Sequence, residues 1–67
     1  MEKRLPTVHV INEAVSANVN GRNNGVFARM SDGTVHRINR ARTVHGQLQV
    51  HSLVDGRWLV PVMVFQR

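Results

Sequence analysis

The chain has 67 residues, nine of them basic and four acidic, with a formal charge of +5 and no cysteine. Length sets a single domain, residues 1–67, and the lack of cysteine excludes disulfides, thiolate zinc sites and thiol catalysis. A domain this short buries only about 60% of its unfolded surface, so its stability has to come from tight packing, a partner or self-association.

The start, Met1-Glu2-Lys3-Arg4-Leu5-Pro6, carries positive charge with no apolar run of signal-peptide length behind it. Residues 1–6 are expected to form a frayed tail. No stretch reaches the roughly 20 apolar residues of a transmembrane helix. The expectation is a cytoplasmic protein with no membrane contact.

Residues 7–11 read as a strand. Residues 13–19 are open between a short helix and a strand or irregular segment. Asn12 would cap such a helix, Val15 and Val19 would share a face, and Asn20-Gly21 would end it. Val15, Ser16, Asn18 and Val19 are mediocre helix formers, which tilts the reading toward the non-helical option. Asn20-Gly21-Arg22-Asn23-Asn24-Gly25 is a loop, because glycine and asparagine tolerate positive φ.

Residues 26–30 and 34–38 read as a hairpin across Ser31-Asp32-Gly33. Residues 47–53 and 57–65 read as a second hairpin across Val54-Asp55-Gly56. Softer breaks fall at Asn39-Arg40-Ala41-Arg42 and at Gly46. The fold class is mostly β: a small five-stranded barrel or a strongly twisted antiparallel sheet, with a short helix near 13–19 as the one α option. This arrangement of short strands and tight turns resembles SH3-like and other small barrels in scale. The resemblance is architectural and transfers no binding residues.

In the second hairpin, Leu48 and Val50 face one way and Gln47, Gln49 and His51 the other, so the first strand has one wet face. Its partner is apolar on both sides: Trp58, Val60, Val62 and Val64 on one, Leu59, Pro61, Met63 and Phe65 on the other. Three accounts fit: the middle of a closed barrel, an oligomer interface, or a docking face for a partner. Pro61 cannot donate to a ladder and marks a bulge or an edge, which favours the interface accounts. Two registers are open. A three-residue turn sets Val50 opposite Val60 and Leu48 opposite Val62. A two-residue turn sets Val50 opposite Pro61 and Leu48 opposite Met63.

Arg37, Arg40 and Arg42 form a basic cluster with Arg29 on the facing strand, and His36 and His45 flank it. Arg22, at the tip of the polar loop, assists. Arginine grips phosphate or carboxylate as a planar fork, so nucleic acid or an acidic protein surface is the expected partner. The competing reading is an ordinary solvated face. Trp58, Phe27 and Phe65 are assigned to the core, so no base-stacking platform is expected.

The four histidines, His9, His36, His45 and His51, show no ligand spacing, so no metal and no cofactor are expected. Asp32 and Asp55 sit in turns, Glu2 lies at the terminus, and Glu13 has no second carboxylate to work with. Ser16, Ser31 and Ser52 have no triad-like setting. No catalytic residue is assigned and the chain is not expected to be an enzyme.

The leading functional expectation is a small basic binding module that contacts nucleic acid, or a complex that handles it, through Arg29, Arg37, Arg40, Arg42 and Arg22. The alternative is a protein-interaction or assembly subunit, such as an inhibitor of another protein. It would dock on a partner or form a homodimer through Trp58, Val60, Val62 and Val64. In scale and composition the chain resembles small accessory proteins of bacteria, plasmids and phages.

Overall fold

The computed structural model describes residues 3–17 and 25–67. Arg22 and the loop around it, up to Asn24, lie outside the described residues. Among those described, the order is β1 (Lys3–Arg4), α1 (Val8–Ala17), β2 (Val26–Arg29), β3 (Val35–Val44), β4 (Gln47–Ser52), β5 (Trp58–Leu59) and β6 (Met63–Gln66). The strands form one antiparallel sheet in the order β1-β6-β2-β3-β4-β5. Its ends, β1 and β5, do not pair with each other, so the sheet is twisted and open, and the fold is mostly β as expected.

The first departure from expectation is α1, which begins inside the stretch read as a strand. Thr7 caps it: its Oγ1 accepts the Val10 N–H at 3.2 Å and its carbonyl accepts the Ile11 N–H at 2.9 Å. Val8, Val10 and Ile11 are β-branched and suggest a strand. However, Val8, Ile11 and Val15 recur at helical spacing and pack on the sheet. Burying Ile11 completely stabilises by about 1.5–3 kcal/mol, against propensity costs below about 0.7 kcal/mol per residue.

The second departure is at the N-terminus. Lys3 and Arg4 pair with Gln66 and Phe65. The Leu5 N–H donates to the Val64 carbonyl at 2.8 Å, and the Leu5 side chain is buried. Residues 3–5 are therefore tied to the open edge of β6 rather than frayed.

The third is β3, which does not end at residue 38. The soft break at 39–42 is a β-bulge: Ile38 pairs with Ser52 and Arg40 with His51, so Asn39 and Arg40 together oppose one residue. The first half of β3 pairs with β2 and the second half with β4. The turn into β4 is His45-Gly46, with φ of 50° and 79°, which are the two positive values a two-residue hairpin turn of type I′ needs.

The last expected strand, 57–65, is two strands. Trp58 and Leu59 pair with His51 and Val50. The chain then turns through Val60-Pro61-Val62, and β6 pairs with β2 and β1. Pro61 has no N–H to offer, and the ladder stops there. This split, together with β1, gives six strands rather than five. The register matches neither expected one: Val50 opposes Leu59, one residue from the three-residue-turn register and two from the two-residue-turn register. The Ser52 N–H donates to the Arg57 carbonyl at 2.9 Å, closing a four-residue loop, Leu53-Val54-Asp55-Gly56. The Ser52 hydroxyl oxygen accepts the N–H groups of Val54 and Asp55 at 3.1 Å each, which holds the extra loop residue in place.

The core is aliphatic: Ile11, Val26, Ile38, Val50 and Val64 are its main buried side chains, with Leu5, Ala28 and Ala41. Of the aromatic residues expected there, Phe65 is buried as expected but lies outside this aliphatic cluster, while Phe27 and Trp58 are half-buried.

One polar contact spans helix and sheet. Asn12 donates from Nδ2 to the Ala41 carbonyl at 3.0 Å and accepts the Ala41 N–H on Oδ1 at 2.9 Å. Ala41 pairs with Val50, and its backbone groups point away from β4 toward an edge that β2 does not reach. Asn12 thus fills the place of a neighbouring strand. Substituting Asn12→Ala leaves both backbone groups unpaired and is expected to cost about 1–3 kcal/mol in urea unfolding. His9→Ala, on the exposed side of α1, is the control and is expected to stay within about 0.5 kcal/mol.

Candidate functional site

Alternation sends every second side chain to one face of a strand. In β2, Val26 and Ala28 point into the core, so Phe27 and Arg29 point out. In β6, Val64 points in, so Phe65 points out, and Arg67 follows on the same side. Leu5 points in and Arg4 out. Cross-strand pairing then aligns Arg4, Phe65, Phe27 and Arg37 in one row across β1, β6, β2 and β3.

Arg37 and Arg40 are three residues apart and would lie on opposite faces of a regular strand. The bulge changes this. Ile38 and Ala41 are both buried, so Arg37, Asn39, Arg40 and Arg42 all face out. Arg40, His51 and Trp58 form a second row across β3, β4 and β5, with Arg42 opposite Gln49 beside it. Arg29, Arg37, Arg40 and Arg42 therefore lie on one surface, and Arg4 and Arg67 extend it.

The outward rings are covered by guanidinium groups. Phe27 and Phe65 stack with centroids 5.9 Å apart at 22°. The Arg67 guanidinium carbon lies 4.9 Å from the Phe27 centroid and 5.6 Å from that of Phe65, and Arg29 lies 5.9 Å from Phe65. Phe65 is 1% exposed although it is outside the aliphatic core. At the other end, the Arg42 guanidinium carbon sits 3.9 Å from the Trp58 centroid. Arg42 Nε donates to Gln49 Oε1 at 2.9 Å. The His51 ring meets Trp58 edge-on at 5.3 Å and 60°, and its Nδ1 lies 2.9 Å from Asn39 Oδ1. Since that oxygen can only accept, Nδ1 carries the proton.

The expected interface residues are not brought together. Trp58 lies on the outer face, Val60 and Val62 are exposed in the corner between β5 and β6, and Val64 is in the core. His45 is a turn residue, and His9 pairs with Glu13 at 3.3 Å on exposed helix surface. Among the described residues no group of three or more His, Cys, Asp or Glu side chains converges as metal ligands would. No helix there is long and apolar enough to cross a membrane.

His36 faces the inner side of β3. Its Nδ1 lies 2.9 Å from Ser52 Oγ, and its Nε2 lies 3.3 Å from Thr34 Oγ1. Thr34 donates from its hydroxyl to Asp32 Oδ1 at 2.7 Å. The chain of contacts resembles a nucleophile and its base, but Ser52 is 0% exposed and its oxygen is engaged by two loop N–H groups. This is a structural network that joins the two hairpin turns.

Sequence reasoning missed Arg4, Arg67, Gln49 and the outward aromatic rings. Alternation from Leu5 and Phe65 could have placed the two arginines. The soft break at 39–42 marks the place of the bulge but not that the strand runs on through it.

No protein-family model, no curated protein and no solved structure matches the chain.

The Thr34 hydroxyl, and then its backbone N–H at 3.0 Å, hold the Asp32 carboxyl below the usual carboxylate range, with a smaller effect from His36. The folded-state value is depressed. The turn's contribution is therefore complete above the unfolded-state value of about 3.9 and is lost as pH falls through the folded-state value. Asp32→Asn is expected to flatten this part of the acid-unfolding profile, read as the difference between the two proteins' unfolding midpoints below pH of about 4.

Proposed function

We propose that this chain is a small, non-enzymatic nucleic-acid-binding module of the cytoplasm, and that its contact surface is the outer face of the sheet. One observation carries the reading. Arg4, Arg29, Arg37, Arg40, Arg42 and Arg67 share that face, while the described carboxylates, Glu13, Asp32 and Asp55, lie on α1 and in the two turns. A surface of one sign concentrates a polyanion and steers its approach. Stacking on a ring fixes a guanidinium while leaving donors at its edge for phosphate oxygens. Less side-chain freedom is then lost on binding, a saving of about 0.5–1.5 kcal/mol per ordered side chain.

Replacing Arg37, Arg40 and Arg42 together by alanine is expected to weaken binding at least about tenfold at physiological salt, in fluorescence anisotropy. The slope of log K against log salt is expected to become shallower by about 0.9 for each duplex phosphate that is no longer neutralised. An unchanged affinity and slope would overturn the proposal. A wild-type protein that binds only at low salt would leave an acidic protein surface as the partner for the same guanidinium forks.

A second reading, a protein-docking or self-assembling subunit of the accessory kind, is favoured by one feature. Val60 and Val62 are 48% and 63% exposed in the corner between β5 and β6. Under this reading, sedimentation shows a mass that rises with concentration, and Val62→Glu returns it to that of the monomer.

A further inference from the structure

We infer that the ligand of the outer face is single-stranded nucleic acid, with an unpaired base stacked on the Arg42 guanidinium above Trp58. This rests on the nucleic-acid reading and goes further, because it assigns the strand state and a base site.

Arg42 is held on two sides. One face of its guanidinium lies on the indole at 3.9 Å, and its Nε edge is occupied by Gln49 Oε1 at 2.9 Å. The indole is in turn braced by the edge-on His51 ring, which Asn39 holds through Nδ1. Arg42 is exposed, so the second face of a flat, immobilised cation is open to solvent. A flat face suits a flat ring, and unpaired bases stack on arginine planes as they do on aromatic rings. In a duplex each base is already stacked above and below and offers no free face.

The Arg40 side chain, two residues earlier on the same face and opposite His51 in the ladder, makes no side-chain hydrogen bond or ion pair among the described residues. It is suited to the phosphate that flanks a stacked base. The Phe27–Phe65 pair is a poorer platform, because Phe65 is covered and Arg67 lies farther from both rings.

Trp58 is the sole tryptophan, so intrinsic fluorescence reports on this site alone. The experiment titrates the full chain with oligothymidylate, oligouridylate, an abasic deoxyribose-phosphate strand of the same length, and a duplex, at physiological salt. Arg42→Lys, which keeps the charge and loses the plane, is titrated alongside.

The expected result is quenching of Trp58 by the base-bearing strands, with affinity for them about tenfold or more above that for the abasic strand. Stacking of one base is worth roughly 5- to 150-fold. Arg42→Lys is expected to remove that advantage, so that the base-bearing strands bind no more tightly to the variant than the abasic strand does. The two base-bearing strands show whether DNA or RNA is preferred. If the abasic strand binds the wild-type chain as tightly, or Arg42→Lys lowers the affinity for base-bearing and abasic strands by the same factor, the base site is wrong while the phosphate-binding face stands. If no strand binds, both readings fall.

Discussion

The bulge in β3 is the constraint on which the rest depends. Ile38 and Ala41 both have to reach the core, and two residues opposite His51 allow it. The extra residue also bends the strand. Its first half can then serve β2 and its second half β4 within one small sheet. The bend leaves the Ala41 backbone without a strand beside it, and Asn12 supplies the missing pair of hydrogen bonds from α1. The same count of residues turns Arg37, Arg40 and Arg42 to one side. Core packing, helix docking and the shape of the arginine surface are thus consequences of one local irregularity.

The placement of the aromatic rings is the complementary feature. A chain of this length can fill only one aliphatic interior; Phe27 and Trp58 are half-buried outside it, and Phe65 is buried beside Phe27 rather than within it. Their exposed faces are covered by arginine rather than by a second layer of structure. Cation–π contacts of this kind stabilise by about 0.5–1 kcal/mol when exposed and about 2 kcal/mol when desolvated. They also shield apolar surface that would invite aggregation. On the proposed reading, the groups that keep the rings covered in the free protein are the ones that meet the ligand.

Much of the fold was legible in the sequence. Asp32-Gly33 and Asp55-Gly56 marked the two turns, and the first hairpin lies close to where its residues place it. Three things were not legible. Residues 8–11 look like a strand because propensity and tertiary burial disagree there, and burial of Ile11 decides. The run 57–65 looks continuous because apolar residues on both sides conceal the corner at Pro61; that proline signalled an interruption without showing that the chain changes partners. The break at 39–42 is visible, but not that it is a one-residue bulge within a continuing strand, because an extra residue there looks the same as a loop. Without it, the arginines fall in a loop and the rings in the core. The shared face of Arg29, Arg37, Arg40 and Arg42 comes from strand pairing, which the order of residues along the chain does not display.

The most direct test of this account is residue-resolved NMR during titration with a short single strand. The account predicts perturbation of the backbone and side-chain signals of Arg37, Arg40 and Arg42 and of the Trp58 indole N–H, with α1 unaffected. Perturbation confined to α1, or to the corner at Val60 and Val62, would contradict it and place the working surface elsewhere on the molecule.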